Sequence, residues 1–161
     1  MRRGDSVYSE KGAGQVTAEL LIRDAVPGDA PALTRLNAVA MGYDYPEDRT
    51  RRKLEKLLES GRDKILVAER EGQVVGYLHL VDYDVLYADH MKNIMGIAVD
   101  PGCRRQGIGR ALLEAGETWA KEQDADGIRL VSGESRKGAH AFYRALGYEG
   151  NKMQLNLKKT F

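Results

Sequence analysis

At 161 residues, 42% of them apolar and 30% charged, the chain has the size of one domain of about 150 residues and enough apolar material for a core. Lys and Arg number 25 and Asp and Glu 24, a formal net charge of +1. That balance excludes a global field drawing the protein onto nucleic acid or a membrane, so any anion site must be local. No apolar run reaches the roughly 18 residues of a membrane span, the one cysteine, Cys103, has no intramolecular partner, and Met1 to Asp5 hold no apolar signal segment. A reducing, cytoplasmic setting is expected.

Residues 1–18, rich in Gly, Ser and charge without an apolar period, read as a flexible N-terminal tail, with a single domain over 19–161. Leu20 to Val26 is the first expected strand, ended by Pro27 and Gly28. Leu33, Leu36, Val39 and Ala40 then recur at helical spacing. Beyond Gly42 to Pro46, Leu54, Leu57 and Leu58 mark the apolar stripe of a second helix whose other face is charged. Lys64 to Arg70 and Gln73 to Val81, joined through Glu71 and Gly72, predict a β-hairpin. Asp82 to Met91 reads as a polar loop and Lys92 to Val99 as a strand closed by Asp100, Pro101 and Gly102. Ile108, Ala111, Leu112, Ala115 and Trp119 share one helical face. Gly127 to Ser132 predicts a strand, Gly138 to Leu146 a helix stopped by Gly147, and Lys152 to Leu157 a last strand. The order β-α-α-β-β-β-α-β-α-β gives an α/β fold with a mixed, largely antiparallel central sheet flanked by helices on both faces.

Chemistry concentrates after the strand ending at Val99. The loop through Gly102, Arg104, Arg105, Gly107, Gly109 and Arg110 runs directly into a helix. Helix starts present unpaired N–H groups and the positive end of the macrodipole, and glycine lets an anion approach the backbone, so a phosphate site is expected. A Walker loop would need Lys and Ser/Thr after Gly107, where Ile108 and Gly109 stand; a dinucleotide loop would need a small residue where Leu112 stands. Both are excluded.

The remaining pattern, Arg104-Arg105-Gln106-Gly107-Ile108-Gly109 behind Ile97-Ala98-Val99, resembles the acetyl-CoA loop of the GNAT N-acetyltransferase superfamily. A second stretch, Ala139 with Phe142, Tyr143, Gly147 and Tyr148, is similar to that family's downstream signature. The resemblance implies a GNAT-like fold and an acetyl-CoA-dependent N-acetyltransferase that moves acetyl to a primary amine by direct attack in a ternary complex. It implies a cosubstrate-binding set of Ile97, Ala98, Val99, Arg104, Arg105, Gln106, Gly107, Ile108, Gly109 and Arg110. Backbone amides of 105–110 would meet the pyrophosphate, the arginines a phosphate, and Ile97 to Val99 the pantetheine as an extra strand. Tyr143 matches the family's catalytic acid. The acid that many relatives carry near Met95 or Gly96 is absent, leaving Asp84, Asp89, His90, Glu134 or a water chain as candidate bases, and Ser135 and Arg136 replace the asparagine often found before the downstream signature. That absence keeps a second reading open, a non-catalytic acyl-CoA-binding sensor or subunit on the same fold. His79 and His90 lack partners at metal-ligand spacing, so no metal is expected. The expected partner is an amine, small molecule or protein-borne, without membrane or nucleic acid; a homodimer stays open.

Overall fold

In the computed structural model, which describes residues 6–8, 19–150 and 152–161, apolar periodicity becomes a six-stranded sheet with helices on both faces. Its strands are β1 (Ser6–Tyr8), β2 (Leu20–Asp24), β3 (Asp63–Arg70), β4 (Gln73–Tyr83), β5 (Met91–Val99) and β6 (Gly127–Arg129), in the spatial order β1-β2-β3-β4-β5-β6. All neighbours are antiparallel except β5 and β6, which are parallel. The helices are α1 (Ala30–Met41), α2 (Glu47–Glu59), α3 (Ile108–Glu122) and α4 (Lys137–Ala145). The chain divides into two compact units, 1–130 and 131–161.

Within 1–130, α1 and α2 cover one sheet face. Leu33, Leu36 and Leu54 meet Ile65, Val67, Tyr77 and Ala98 there. The helix α3 covers the other face, and Gly116 sets how near it comes: a Cβ there would lie 2.8 Å from both Leu78 Cδ2 and Leu80 Cδ1. Four consecutive residues of β3, Ile65 to Ala68, are therefore buried, as a strand covered on both faces requires. The β3–β4 hairpin turns through Glu71 and Gly72 at φ 52° and 74°, the paired left-handed conformation that suits twisted strands. Arg23 grips the buried Asp29 through two bonds of 2.8 and 2.9 Å, and its Nε donates to Glu69 at 2.7 Å. This ties β2 to the start of α1 and to β3.

Three expectations are corrected. Residues 6–8, read as part of a tail, pair with β2, which otherwise would present an open ladder edge; the rest of 1–18 lies outside the described residues. Lys152 to Leu157 is not a strand: 152–161 has no regular structure and is exposed, Met153, Leu155 and Leu157 included. An alternating pattern forms a strand only where a partner takes its hydrogen bonds. The strand expected over Gly127 to Ser132 stops at Arg129.

In the 131–161 unit, α4 ends in a Schellman motif: Tyr148 N donates to Tyr143 O and Gly147 N to Arg144 O, both at 3.0 Å, with Gly147 at φ 91°.

Candidate active site

The strand β5 leads into the glycine-rich loop, and its two edges differ. On the β4 side the register runs Gly76↔Val99 to His79↔Gly96 and then shifts, with Leu80 opposite Ile94, so Met95 is an extra, bulged residue whose side chain is exposed. On the other side β6 pairs only with Met91, Lys92 and Asn93. Arg129 closes that short ladder by donating to Asn93 Oδ1 at 2.5 Å. From Ile94 to Val99 this edge has no paired strand among the described residues, which leaves backbone donors and acceptors for an extended ligand. Ala98 buries its side chain in the core beside Tyr77, while Ile97 and Val99 are half-buried.

Asp100 pins the loop. Its Oδ2 accepts from Arg35 of α1 at 2.7 Å, its Oδ1 accepts from Gly102 N at 2.9 Å, and its own N–H donates to Val75 O at 2.8 Å. The Arg35 bond and then the Gly102 amide hold the Asp100 carboxyl below the usual carboxylate range. Arg104 and Arg105 are exposed, Arg105 at φ 62°. Gln106 accepts from the Arg70 guanidinium, which ties the loop to the end of β3. Gly107 caps α3 at φ 79°, ψ 5°, where a Cβ would be strained. Ile108 is 1% exposed, so its side chain is core and only its backbone faces the loop. Ala111 N is the first helical amide with an intrahelical bond, to Gly107 O at 2.9 Å. The amides of Ile108, Gly109 and Arg110 belong to the unpaired first turn. Arg110 is exposed, and its Nε donates to Glu114 at 2.8 Å. Arg104 to Arg110 are thus brought together around one helix start.

Tyr143 lies on α4 in the second unit and is buried, its ring centroid 5.3 Å from Phe142 and 5.8 Å from Tyr148. Burial pushes its phenol above the ordinary tyrosine value, against an opposing pull from Arg136, so the group is protonated across the neutral range. Among the candidate bases, Asp84, Asp89 and Glu134 are exposed. His90 is half-buried with Nε2 against Asp82 Oδ1. The same oxygen accepts from the buried Lys92 at 3.0 Å, and that ammonium stands 4.4 Å from the centroid of Trp119. His90 and Lys92 together hold Asp82 below the usual carboxylate range, His90 foremost. Among the described residues no group of three or more His, Cys, Asp and Glu is gathered as a metal would require, and no helix is long and apolar enough to cross a membrane.

Residues 30–148 match the family model of the acetyltransferase (GNAT) family. The chain belongs to the GNAT family of acetyltransferases. An uncharacterized N-acetyltransferase of Chlorobaculum tepidum is 30% identical over 132 residues, 82% of this chain and 77% of that protein. The aminoglycoside N(6')-acetyltransferase type 1 of Stenotrophomonas maltophilia is 29% identical over 136 residues, 80% of this chain and 85% of that one. The fold matches that of the aminoglycoside acetyltransferase AAC(6')-Iy bound to a bisubstrate analogue, at TM-score 0.78 and 17% identity over 88% of this chain and 99% of the other. It also matches a transcriptional regulator of Bacillus halodurans at TM-score 0.78 and 23% identity, over 87% and 99%. These relations make the chain an acetyl-CoA-dependent acyltransferase of GNAT fold.

Asp100 with Arg35, and Arg70 with Gln106, escape sequence reading because their partners lie 65 and 36 residues apart. Only the Asp100-Pro101-Gly102 run, an aspartate before a turn, offers a local sign of the first.

Proposed function

We propose that this GNAT chain moves acetyl from acetyl-CoA to a small-molecule primary amine by direct attack in a ternary complex, and that 19–161 acts as one acetyltransferase domain. The observation that carries this reading is the open β5 edge from Ile94 to Val99 leading into the unpaired first turn of α3. Pantetheine adds to that edge at Ile97 to Val99 as a strand would. The pyrophosphate meets the amides of Arg105 to Arg110, where the helix dipole favours negative charge. Arg104 and Arg105, exposed beside it, supply guanidinium groups for the 3′-phosphate.

The amine nitrogen attacks the thioester carbonyl carbon, the carbon–sulfur bond breaks as the tetrahedral intermediate collapses, the CoA sulfur takes a proton from the Tyr143 phenol, and the proton that the nitrogen sheds on becoming an amide restores the phenol through solvent. Tyr143 suits that step because burial keeps it protonated. The acceptor must first lose its own proton, since an unperturbed alkylamine has a pKa of about 10.4, so turnover rises with pH through the neutral range. A small-molecule acceptor is supported by the relatives named for aminoglycosides.

Calorimetry with CoA and with dephospho-CoA tests the reading. CoA should bind at least about tenfold more tightly, the worth of one charge-assisted guanidinium–phosphate contact, and the gap should narrow as salt rises. Equal affinities would leave Arg104 and Arg105 as solvated surface.

A further inference from the structure

Gly96 is where a side chain is missing beside the bulge, and the space over it is occupied from another strand. A Cβ at Gly96 would lie 3.6 Å from the Tyr77 hydroxyl, which reaches across from β4. Tyr77 is 9% exposed and donates to Asn37 Oδ1 at 2.5 Å, so the hydroxyl hydrogen is committed and its lone pairs are not spent on that bond. Asn37 in turn lines a cavity of about 420 Å³ with Gly42, Tyr43, Asp44, Tyr45 and Lys53. Asn37 and Tyr77 therefore form a polar step from the cavity at the α1–α2 turn to the backbone of β5 at Gly96. Tyr43 and Tyr45 offer flat apolar surface, and Asp44 and Lys53 place one charge of each sign on the cavity walls. Lys53 has its ammonium 5.6 Å from the Tyr45 ring centroid.

We propose that Tyr77, oriented by Asn37, receives the acceptor amine: the Tyr77 hydroxyl oxygen accepts a hydrogen bond from the amine nitrogen over Gly96, aiming its lone pair at the thioester. This rests on the reading of the β5 edge as the acetyl-CoA site. Tyr77 is a binding residue and no base, because burial and then the field of Tyr43 push its phenol up to about 12. Asn37 is a positioning residue acting through it.

Acetyl transfer to neamine and to benzylamine, followed by thiol release, tests the proposal, with CoA binding measured separately by calorimetry. Tyr77→Phe keeps the ring and removes the acceptor oxygen. It should lower kcat/KM for the amine about tenfold, mainly through KM, the worth of one hydrogen bond, while KM for acetyl-CoA stays within about twofold and the pH limb keeps its position. Asn37→Leu should act in the same direction, and Asn37→Asp, which retains an acceptor for the Tyr77 hydroxyl, should restore the amine KM. A purely structural role would lower the melting temperature without this split or this rescue. Should Tyr77→Phe fail to fold, Gly96→Ala serves instead: its methyl makes only an ordinary contact with the hydroxyl, so stability should hold while the amine KM rises. An unchanged amine KM in Gly96→Ala or Tyr77→Phe, or a flattened pH limb in the latter, overturns the proposal. So does a wild type that binds CoA yet turns over neither amine. Wild-type protein that fails to bind CoA refutes the acetyl-CoA site itself.

Discussion

Gly107 allows the anion site to be tested by one charge with shape held constant. Asparagine and aspartate are the residues other than glycine that best tolerate the left-handed region, and Gly107 stands there at φ 79°. Gly107→Asn and Gly107→Asp should therefore share a strain of about 1 kcal/mol, a melting temperature lower by roughly 2–4 °C in a chain of this size. The aspartate also sits at the N-terminus of α3, where the macrodipole favours a carboxylate by about 0.3–1 kcal/mol. Free Gly107→Asp should thus melt no lower than Gly107→Asn. For CoA the sign reverses. A carboxylate about 5 Å from a phosphate, at an effective dielectric between about 20 and 80, costs about 1–3 kcal/mol, roughly a 5- to 150-fold loss of affinity relative to the asparagine variant. Calorimetry at two ionic strengths reads the ratio, which should shrink with salt as the Debye length falls. Equal CoA affinity of the two variants would remove the pyrophosphate from the first turn of α3, and the reasoning with it.

Tyr143→Phe removes the proposed acid and keeps the ring packed with Phe142 and Tyr148; kcat should fall about tenfold or more with CoA affinity unchanged, and an unchanged kcat would make Tyr143 a packing residue. Asp29, held below the usual carboxylate range by Arg23 and the Val26 amide against the desolvation that raises it, has a depressed folded-state pKa. Its stabilisation is complete above the unfolded value of about 3.9 and is lost as pH falls through the folded value. Melting temperature should accordingly drop below about pH 4, and Asp29→Asn should lose about 1–3 kcal/mol at neutral pH and show a shallower acid limb; a limb parallel to wild type would refute this. Gly116→Ala drives a methyl to 2.8 Å from the Leu78 and Leu80 tips and should cost about 1–3 kcal/mol, read as a melting point several degrees lower; an unshifted one would mean α3 lies farther from β4.

The elements legible in the sequence are those whose apolar period survives without partners. The stripe of Ile108, Ala111, Leu112 and Trp119 becomes the buried face of α3, and the Glu71–Gly72 pair becomes the turn of the hairpin. The loop of Arg104 to Arg110 was legible because its types need no distant residue: glycine where φ is positive, arginine where charge stays exposed. Residues 6–8 are too few to carry a period and sit among glycine and charge; their strand exists because β2 offers an edge. Residues 152–157 show the converse, a clean alternation without a ladder. Tyr77 was unreadable as a site residue, since a tyrosine within the run Val74 to Val81 looks like any core residue. Its partner Asn37 lies 40 residues away on α1.

Why the site falls at the middle of β5 follows from two events two residues apart. The β5–β6 ladder ends at Asn93 and the bulge stands at Met95. A bulge adds a residue to one strand and increases its local twist, and here it stands two residues beyond the last β5 residue paired with β6. The same extra residue resets the side-chain alternation, which places Gly96 in register with His79 and Ala98 with Tyr77. One inserted residue thus puts a bare glycine under the Tyr77 hydroxyl, beside the unpaired backbone edge toward the proposed cosubstrate. Deleting Met95 should take Gly96 from under that hydroxyl.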